Sequence, residues 1–158
     1  MQKTPMTAHG ASILRQELEK LKNIDRPNIS KTIGVARALG DLRENADYHS
    51  AKEAQGFIEA RIRDIEGKLS NANIIDVSRI PKNGIAVFGT TIHVENLDTG
   101  VISSYMLVGD DEADLKVGKI SINSPIARAL VSKRAGDVVQ ATIPTGIMEL
   151  EITNIEYN

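Results

Sequence analysis

Residues 51–72 read AKEAQGFIEARIRDIEGKLSNA, with Ala51, Gln55, Ile58, Ile62, Ile65, Leu69 and Ala72 at alternating steps of four and three. That spacing, kept over three heptads, is the seam of a coiled coil. Upstream, Leu14, Leu18 and Leu21, then Ile29, Ile33 and Ala36, follow the same steps on either side of one gap. The gap lies around Asp25-Arg26-Pro27 and slips the heptad phase by one residue. Pro27 removes a helical hydrogen bond, which predicts a local kink. The helix continues beyond it because the periodicity resumes. Thr7 is placed to cap this first helix, and Gly40 to close it. Two consecutive heptad helices with a short connection pair antiparallel. At ~1.5 Å per residue, roughly 27 helical residues make a rod of ~40 Å.

After Asp76 the period changes to two. Residues 91–96 and 102–108 alternate as half-buried strands around the turn Asp98-Thr99-Gly100. Residues 138–143 and 148–155 repeat this around Pro144-Thr145-Gly146. Between the two hairpins, Ser124 reads as the N-cap of one short helix with Pro125 in its first turn. Ile126, Ala127, Leu130 and Val131 form its apolar stripe. The expectation is an α+β chain: an antiparallel coiled-coil hairpin over 1–76, then a small β-sheet domain with one short helix over 77–158. The join falls between Asn73 and the turn Pro81-Lys82-Asn83-Gly84.

The 158 residues carry no cysteine, which excludes disulfides and thiolate metal sites. The start lacks the apolar core of a signal peptide and no window has the apolar length of a membrane span. The expectation is therefore a cytoplasmic protein with no membrane partner. Formal net charge is -2, divided as +1 before residue 77 and -3 after it. Aromatic residues make up only 3%. Neither a basic duplex binder nor a base-stacking platform fits, so nucleic-acid contact should be local, weak and salt-sensitive.

The connection between the helices is Gly40-Asp41-Leu42-Arg43-Glu44-Asn45-Ala46-Asp47-Tyr48, three carboxylates at the far end of a rod. One reading is structural: Asp41-x-x-Glu44 has capping-box spacing, with Asp41 as N-cap of the second helix. The other is chemical. One or two carboxylates make a poor magnesium site alone and a good half-site. Beside a metal in another active centre, they could hold a second magnesium and orient a water for phosphodiester cleavage. Arg37, Arg43 and Lys52 flank the tip and would attract an RNA backbone, or else pair with Glu44 or Glu53 on the helix surface. His9, His49 and His93 lie in separate elements and read as surface or packing residues. Asp110-Asp111-Glu112-Ala113-Asp114 reads as a solvated charged loop rather than a cation site. There is no P-loop, dinucleotide fingerprint or nucleophile elbow, and no self-contained active site.

The chain resembles the bacterial Gre transcript cleavage factors. The resemblance covers essentially the whole sequence. It rests on four motifs in order: Pro5-Met6-Thr7-Ala8-His9-Gly10, the tip from Gly40 to Tyr48, Val108-Gly109-Asp110-Asp111-Glu112-Ala113-Asp114, and the run from Ile120 to Leu130. It implies a coiled coil followed by an FKBP-like domain, in shape only, without prolyl isomerase activity. It implies binding to bacterial RNA polymerase, with the globular domain docking at the secondary channel through Ser121, Asn123, Ser124 and Pro125, and the 110–114 loop a further candidate. The coiled coil would enter the channel, where Asp41 and Glu44 share magnesium with the polymerase and activate its hydrolysis of backtracked RNA. No cofactor would be bound by the factor alone. Arg37, Arg43 and Lys52 would contact the nascent RNA 3′ segment, DNA contact would be weak or indirect, and the factor would act as a monomer. Asp47 itself reads as structural or as a helper at the start of the second helix. The modest basic balance of the rod favours the A type of the family over the more basic B type. A related channel-binding inhibitor and a purely structural adaptor are the alternatives. Gly34, Gly56 and Gly67 lie inside the two helices and depart from an ideal rod, each by about 1 kcal/mol relative to alanine.

Overall fold

The computed structural model describes residues 3–157. Two compact units emerge, one of residues 11–71 and the other of residues 3–10 with 72–157.

The first arm of the hairpin runs from α1 (Ala8–Lys20) through a wide helical turn (Leu21–Asp25) into α2 (Arg26–Ala38). The wide turn accounts for the phase slip. Arg26 N–H donates to Leu21 O, an i→i−5 bond that accommodates one extra residue. Pro27, which has no N–H, then sits in the first turn of α2. Leu14, Leu21, Ile33 and Ala36 are buried on one side of the slip or the other, so the seam is kept. Gly40, at φ +123°, follows the C-cap Leu39 and turns the chain out of the helix.

The second arm is α3 (Ala46–Ser70), with Ala51, Ile62 and Ile65 buried. The heptad pattern overshoots here: Ala72 continues the seam spacing, but it belongs to a strand. Ion pairs join the arms on their exposed flanks. Lys22 meets Glu66 at 2.9 Å, and Arg26 grips Glu59 with both Nε and Nη2 at 2.9 and 2.8 Å. Arg61 bridges to Glu17 on the other arm and to Asp64 on its own, and Lys68 adds a 3.2 Å contact to Asp64. Hydrogen bonding to Arg61 lowers the pKa of Glu17, bonding to Arg26 lowers that of Glu59, and bonding to Lys68 lowers that of Asp64.

These shifts fix a sign. A carboxylate with a depressed folded-state pKa stabilises above its unfolded pKa, and that contribution is lost as pH falls through the folded value. The helical signal should therefore melt at lower temperature at about pH 3 than at about pH 7, and ~1 M salt should shrink the difference because the pairs are exposed. Circular dichroism melts check this, and equal melting at both pH values would refute it. A second expectation concerns the helical glycines. A Cβ built on Gly34, Gly56 or Gly67 meets nothing within 4 Å. Alanine at each should stabilise the hairpin by about 1 kcal/mol, measurable by urea unfolding. A lower midpoint in any of the three variants would mean that face is not open.

The second unit starts with a ribbon absent from the strand pattern in the sequence. β1 (Thr4–Thr7) pairs in parallel with β2 (Ala72–Ile75), from Thr4 opposite Ala72 to Thr7 opposite Ile75. The expected boundary at residue 76 is thereby redrawn. Residues 72–75 extend with the globular unit, and so does the segment before α1. Asp76 then caps a short turn by accepting from the N–H and hydroxyl of Ser78.

The main sheet has five strands in the order β5-β4-β3-β7-β6: β3 (Thr90–Asn96), β4 (Ile102–Val108), β5 (Lys119–Ser121), β6 (Val138–Ile143) and β7 (Gly146–Tyr157). Only β4 and β5 run parallel; a bulge at His93/Val94 shifts the register of β3 against β7. The period of two holds. Ile92 and Val94 of β3, Leu107 of β4, Val139 of β6 and Leu150 and Ile152 of β7 point into one core. α4 (Pro125–Leu130) closes that core with Ala127 and Leu130, and Ser124 accepts Ala127 N–H at 3.2 Å as its N-cap. Helices and an antiparallel-dominated sheet are segregated along the chain, an α+β arrangement as expected. Among the described residues no helix is long and apolar enough to cross a membrane.

Candidate functional site

The bend between α2 and α3 is organised by Asn45. Its Oδ1 accepts Tyr48 N–H at 3.0 Å, making Asn45 the N-cap of α3. Its Nδ2 donates to the Ala36 carbonyl at 2.6 Å, which ties the start of the second arm to the end of the first. The capping-box reading of Asp41 and Glu44 is thus corrected. The helix starts four residues later than that reading requires, and the cap is the amide of Asn45. The signal was present as Asn-x-x-Tyr with Asp47 in the first turn, but the acid spacing outweighed it. Asp47 sits in that first turn, where the N–H groups of the helix end favour negative charge.

Asp41 and Glu44 are left exposed. Asp41 Oδ1 accepts Arg43 N–H at 2.9 Å in a tight local turn, which leaves Oδ2 available. The Glu44 carboxylate has no hydrogen bond or ion pair among the described residues. His49 Nε2 donates to the Arg43 carbonyl at 2.8 Å and Tyr48 packs edge-on to the His49 ring, so the segment between the two acids is braced from α3. Leu39, Asp41, Glu44, Asn45, Ala46 and Asp47 line an open concavity of about 320 Å³. Free carboxylate oxygens suit a hard cation such as magnesium. Among the described residues no three His, Asp or Glu side chains converge to hold a metal, at the tip or elsewhere. The donor set fits a shared ion and not a cage.

Arg37, Arg43 and Lys52 are all exposed around this end. The expected alternative, pairing with Glu44 or Glu53, does not form: Lys52 donates to Gln55 at 3.1 Å instead. Among the described residues neither Arg37 nor Arg43 makes an ion pair, whereas the cross-arm pairs sit between residues 17 and 66 away from the bend. The charge on the tip cations is therefore not neutralised internally. His9, His49 and His93 are not brought together; His93 instead bonds Ser104 through Nδ1 at 2.6 Å.

In the globular unit the structure unites two motifs that the sequence kept apart. Asp110 accepts the Ser121 hydroxyl, and Asn123 Nδ2 lies 3.3 Å from its Oδ2. Ser121, Asn123, Ser124 and Pro125 thus form one surface segment braced by the 110–112 turn and capped onto α4. The acidic loop is exposed at Asp110, Asp111 and Asp114, as expected of a solvated loop, but three of its carboxylates also make bonds within the chain. Each carboxylate binds a group of the chain itself: Glu112 takes the Thr7 and Gly109 N–H groups, and Asp114 takes Lys116 N–H.

Residues 4–74 match the family described as transcription elongation factor, N-terminal, and residues 81–157 match transcription elongation factor, GreA/GreB, C-terminal. The chain belongs to the GreA/GreB family. It is 55% identical to transcription elongation factor GreA of Pseudomonas aeruginosa and 54% identical to that of Haemophilus influenzae. Both comparisons run over 157 residues and cover 99% of each chain. Among solved structures it is similar to GreA factor homolog 1 (Gfh1) of Thermus thermophilus, at 27% identity and a TM-score of 0.44, covering 98% of this chain and 99% of that one. Membership of the GreA/GreB family makes the chain a transcription elongation factor, and the sequence resemblance to Gre factors, nearest to GreA, holds over both units.

Proposed function

We propose that this GreA/GreB-family protein is a transcript cleavage factor that works inside bacterial RNA polymerase. The globular unit docks through the segment Ser121, Asn123, Ser124 and Pro125. The hairpin enters the secondary channel and carries Asp41 and Glu44 to the polymerase active centre. The observation that carries this reading is that both acids are exposed and neither caps α3. The capping role was the whole case for a merely structural adaptor, and Asn45 fills it.

Magnesium held jointly with the polymerase would supply charge neutralisation at the phosphate and make the attacking water more acidic. Within this chain, Asp41 Oδ2 and the Glu44 carboxylate are the groups that would hold it. Glu44, without a partner among the described residues, is also the acceptor for a proton of the attacking water. Arg37, Arg43 and Lys52 hold the displaced RNA 3′ segment by its phosphates. The factor is not an enzyme by itself in this reading, because it supplies half of a centre that the polymerase completes. It acts as a cytoplasmic monomer and touches DNA at most weakly.

The test is RNA cleavage in arrested polymerase complexes with the wild-type protein, Asp41→Ala and Glu44→Ala. Cleavage that rises with the wild type and collapses in both variants supports the reading. A wild type that binds polymerase and slows it without cleavage would identify a channel-blocking relative instead.

A further inference from the structure

The two edges of the five-stranded sheet are protected very differently. β5 is three residues long and carries Lys119, a charge that discourages pairing with a further strand. β6, at the other edge, is six residues long and reads Val138-Val139-Gln140-Ala141-Thr142-Ile143. It contains no charged residue and no proline. Its register with β7 runs without a bulge from Val138 opposite Glu151 to Ile143 opposite Gly146. An uncharged, β-prone edge of this length is a template for another strand.

The ladder shows which groups the edge offers. Ile152 N–H donates to Asp137 O at 2.9 Å, so Asp137 faces β7. Backbone polar groups alternate sides along an antiparallel strand, so Val139, Ala141 and Ile143 face β7 as well. Val138, Gln140 and Thr142 turn their N–H and C=O groups to the open side. Among the described residues no strand and no other backbone group takes them up. Their side chains are exposed on one face of the sheet, Val138 by 52%, while Val139 and Ala141 are buried on the other.

Charge selects the occupant. In the ladder Glu149 lies opposite Gln140 and Glu151 opposite Val138, and Glu151 is also opposite Glu95 of β3. Like charges directly opposed destabilise a sheet, and among the described residues no cation pairs with any of these three carboxylates. Residues 77–158 carry a net charge of -3, so a second copy of the same edge would bring acid toward acid. A strand laid on β6 would run about 10 Å from β7, a span that a lysine or arginine and a glutamate bridge together. The exposed Val138 and Ile147 offer apolar surface to the stems of such side chains.

We infer that the β6 edge is a docking site for an extended, basic segment of a partner protein, which adds to the sheet as a further strand. Backbone hydrogen bonds to Val138, Gln140 and Thr142 hold the segment. Its lysine or arginine side chains at alternate positions meet Glu149 and Glu151 and offset the repulsion between Glu151 and Glu95. This surface uses neither the tip carboxylates nor the Ser121–Pro125 segment, so it stands independently of the transcript-cleavage reading.

The experiment titrates the full-length protein with two short capped peptides, one alternating lysine with threonine and the other glutamate with threonine. NMR amide signals and their hydrogen exchange report where each binds. The expected result is saturable binding of the lysine peptide with slowed exchange at Val138, Gln140 and Thr142. Gln140→Pro removes an N–H that β7 does not use and should weaken binding by about tenfold or more. Glu149→Gln combined with Glu151→Gln should weaken it by about fivefold, the worth of two exposed ion pairs. If Gln140→Pro disturbs the fold, Gln140→Lys puts a repelling charge on the intact edge and decides alone, with the same loss expected. Lysine-peptide binding that maps away from β6, or that keeps its strength in the Gln140 variants, would overturn the site. Equal binding of the glutamate peptide would overturn the basic occupant. Self-association of the free protein with slowed exchange at the same three amides would give the edge to a second copy instead. No saturable binding up to about 1 mM lysine peptide would overturn the inference outright.

Discussion

Asp41→Ala and Glu44→Ala are each expected to lower factor-stimulated RNA cleavage by about a hundredfold or more, with polymerase binding held within about twofold. The magnitude follows from the loss of one charged group where charge develops in a water-excluded centre. The two substitutions should differ in a way that tests the geometry. The Glu44 carboxylate has no bond among the described residues to lose, so its replacement removes only the chemistry. Asp41 also accepts Arg43 N–H at 2.9 Å, so alanine there loosens the turn as well. Asp41→Asn separates the effects, because an amide oxygen can keep the turn while the charge is gone. Cleavage that stays low in Asp41→Asn assigns the effect to charge, and recovery would assign it to the turn. Helix stability should be unaltered in Glu44→Ala, since Asn45 and not the acid pair caps α3. Undiminished cleavage in all three variants would remove these carboxylates from the reaction.

The second large effect should come from Asn45→Ala, at a residue that touches no substrate in the proposed mechanism. Alanine loses the cap on Tyr48 N–H and the bond to the Ala36 carbonyl. Together these are worth about 2 kcal/mol of hairpin stability, divided about equally. Asn45→Asp keeps the cap and loses the donor, so it should recover about half of that loss. Urea unfolding followed by helicity measures both. Because Asn45 also joins the arms, the acids in the neighbouring turn should become mobile. Maximal cleavage should then fall by about tenfold even under conditions where the hairpin remains folded. Wild-type unfolding in Asn45→Ala would show that the bend is held by something other than this amide.

Long, regular periodicity was readable because it is local. The run from Ala51 to Leu69 announced α3 by itself, and Ser124-Pro125 announced α4, since each signal sits within a few residues of what it controls. The exceptions were places where a local pattern had a competitor. Asp41-x-x-Glu44 met the spacing rule for a capping box, yet Asn45 won because its amide can accept from α3 and donate to α2 at once, which a carboxylate cannot. Ala72 met the heptad rule, yet pairing with Thr4 drew it into a strand. The phase slip at Pro27 was visible, but its resolution as a wide turn was not. That turn depends on which carbonyl Arg26 N–H finds once Pro27 removes a donor.

From the sequence alone came two heptad arms, a period-two second half, a polar connection with two acids at its centre, and the absence of any complete catalytic motif. Those features depend on side-chain order along the chain and on little else. Tertiary structure alone decided that the acids stay exposed, that Asn45 rather than Asp41 makes the cap, and that Glu112 serves Thr7 across 105 positions of sequence. The physical reason is the same in each case. A carboxylate looks identical in a sequence whether it is solvated, capping or clamped. Only the donors within about 3 Å distinguish these states, and folding brings those donors from distant parts of the chain.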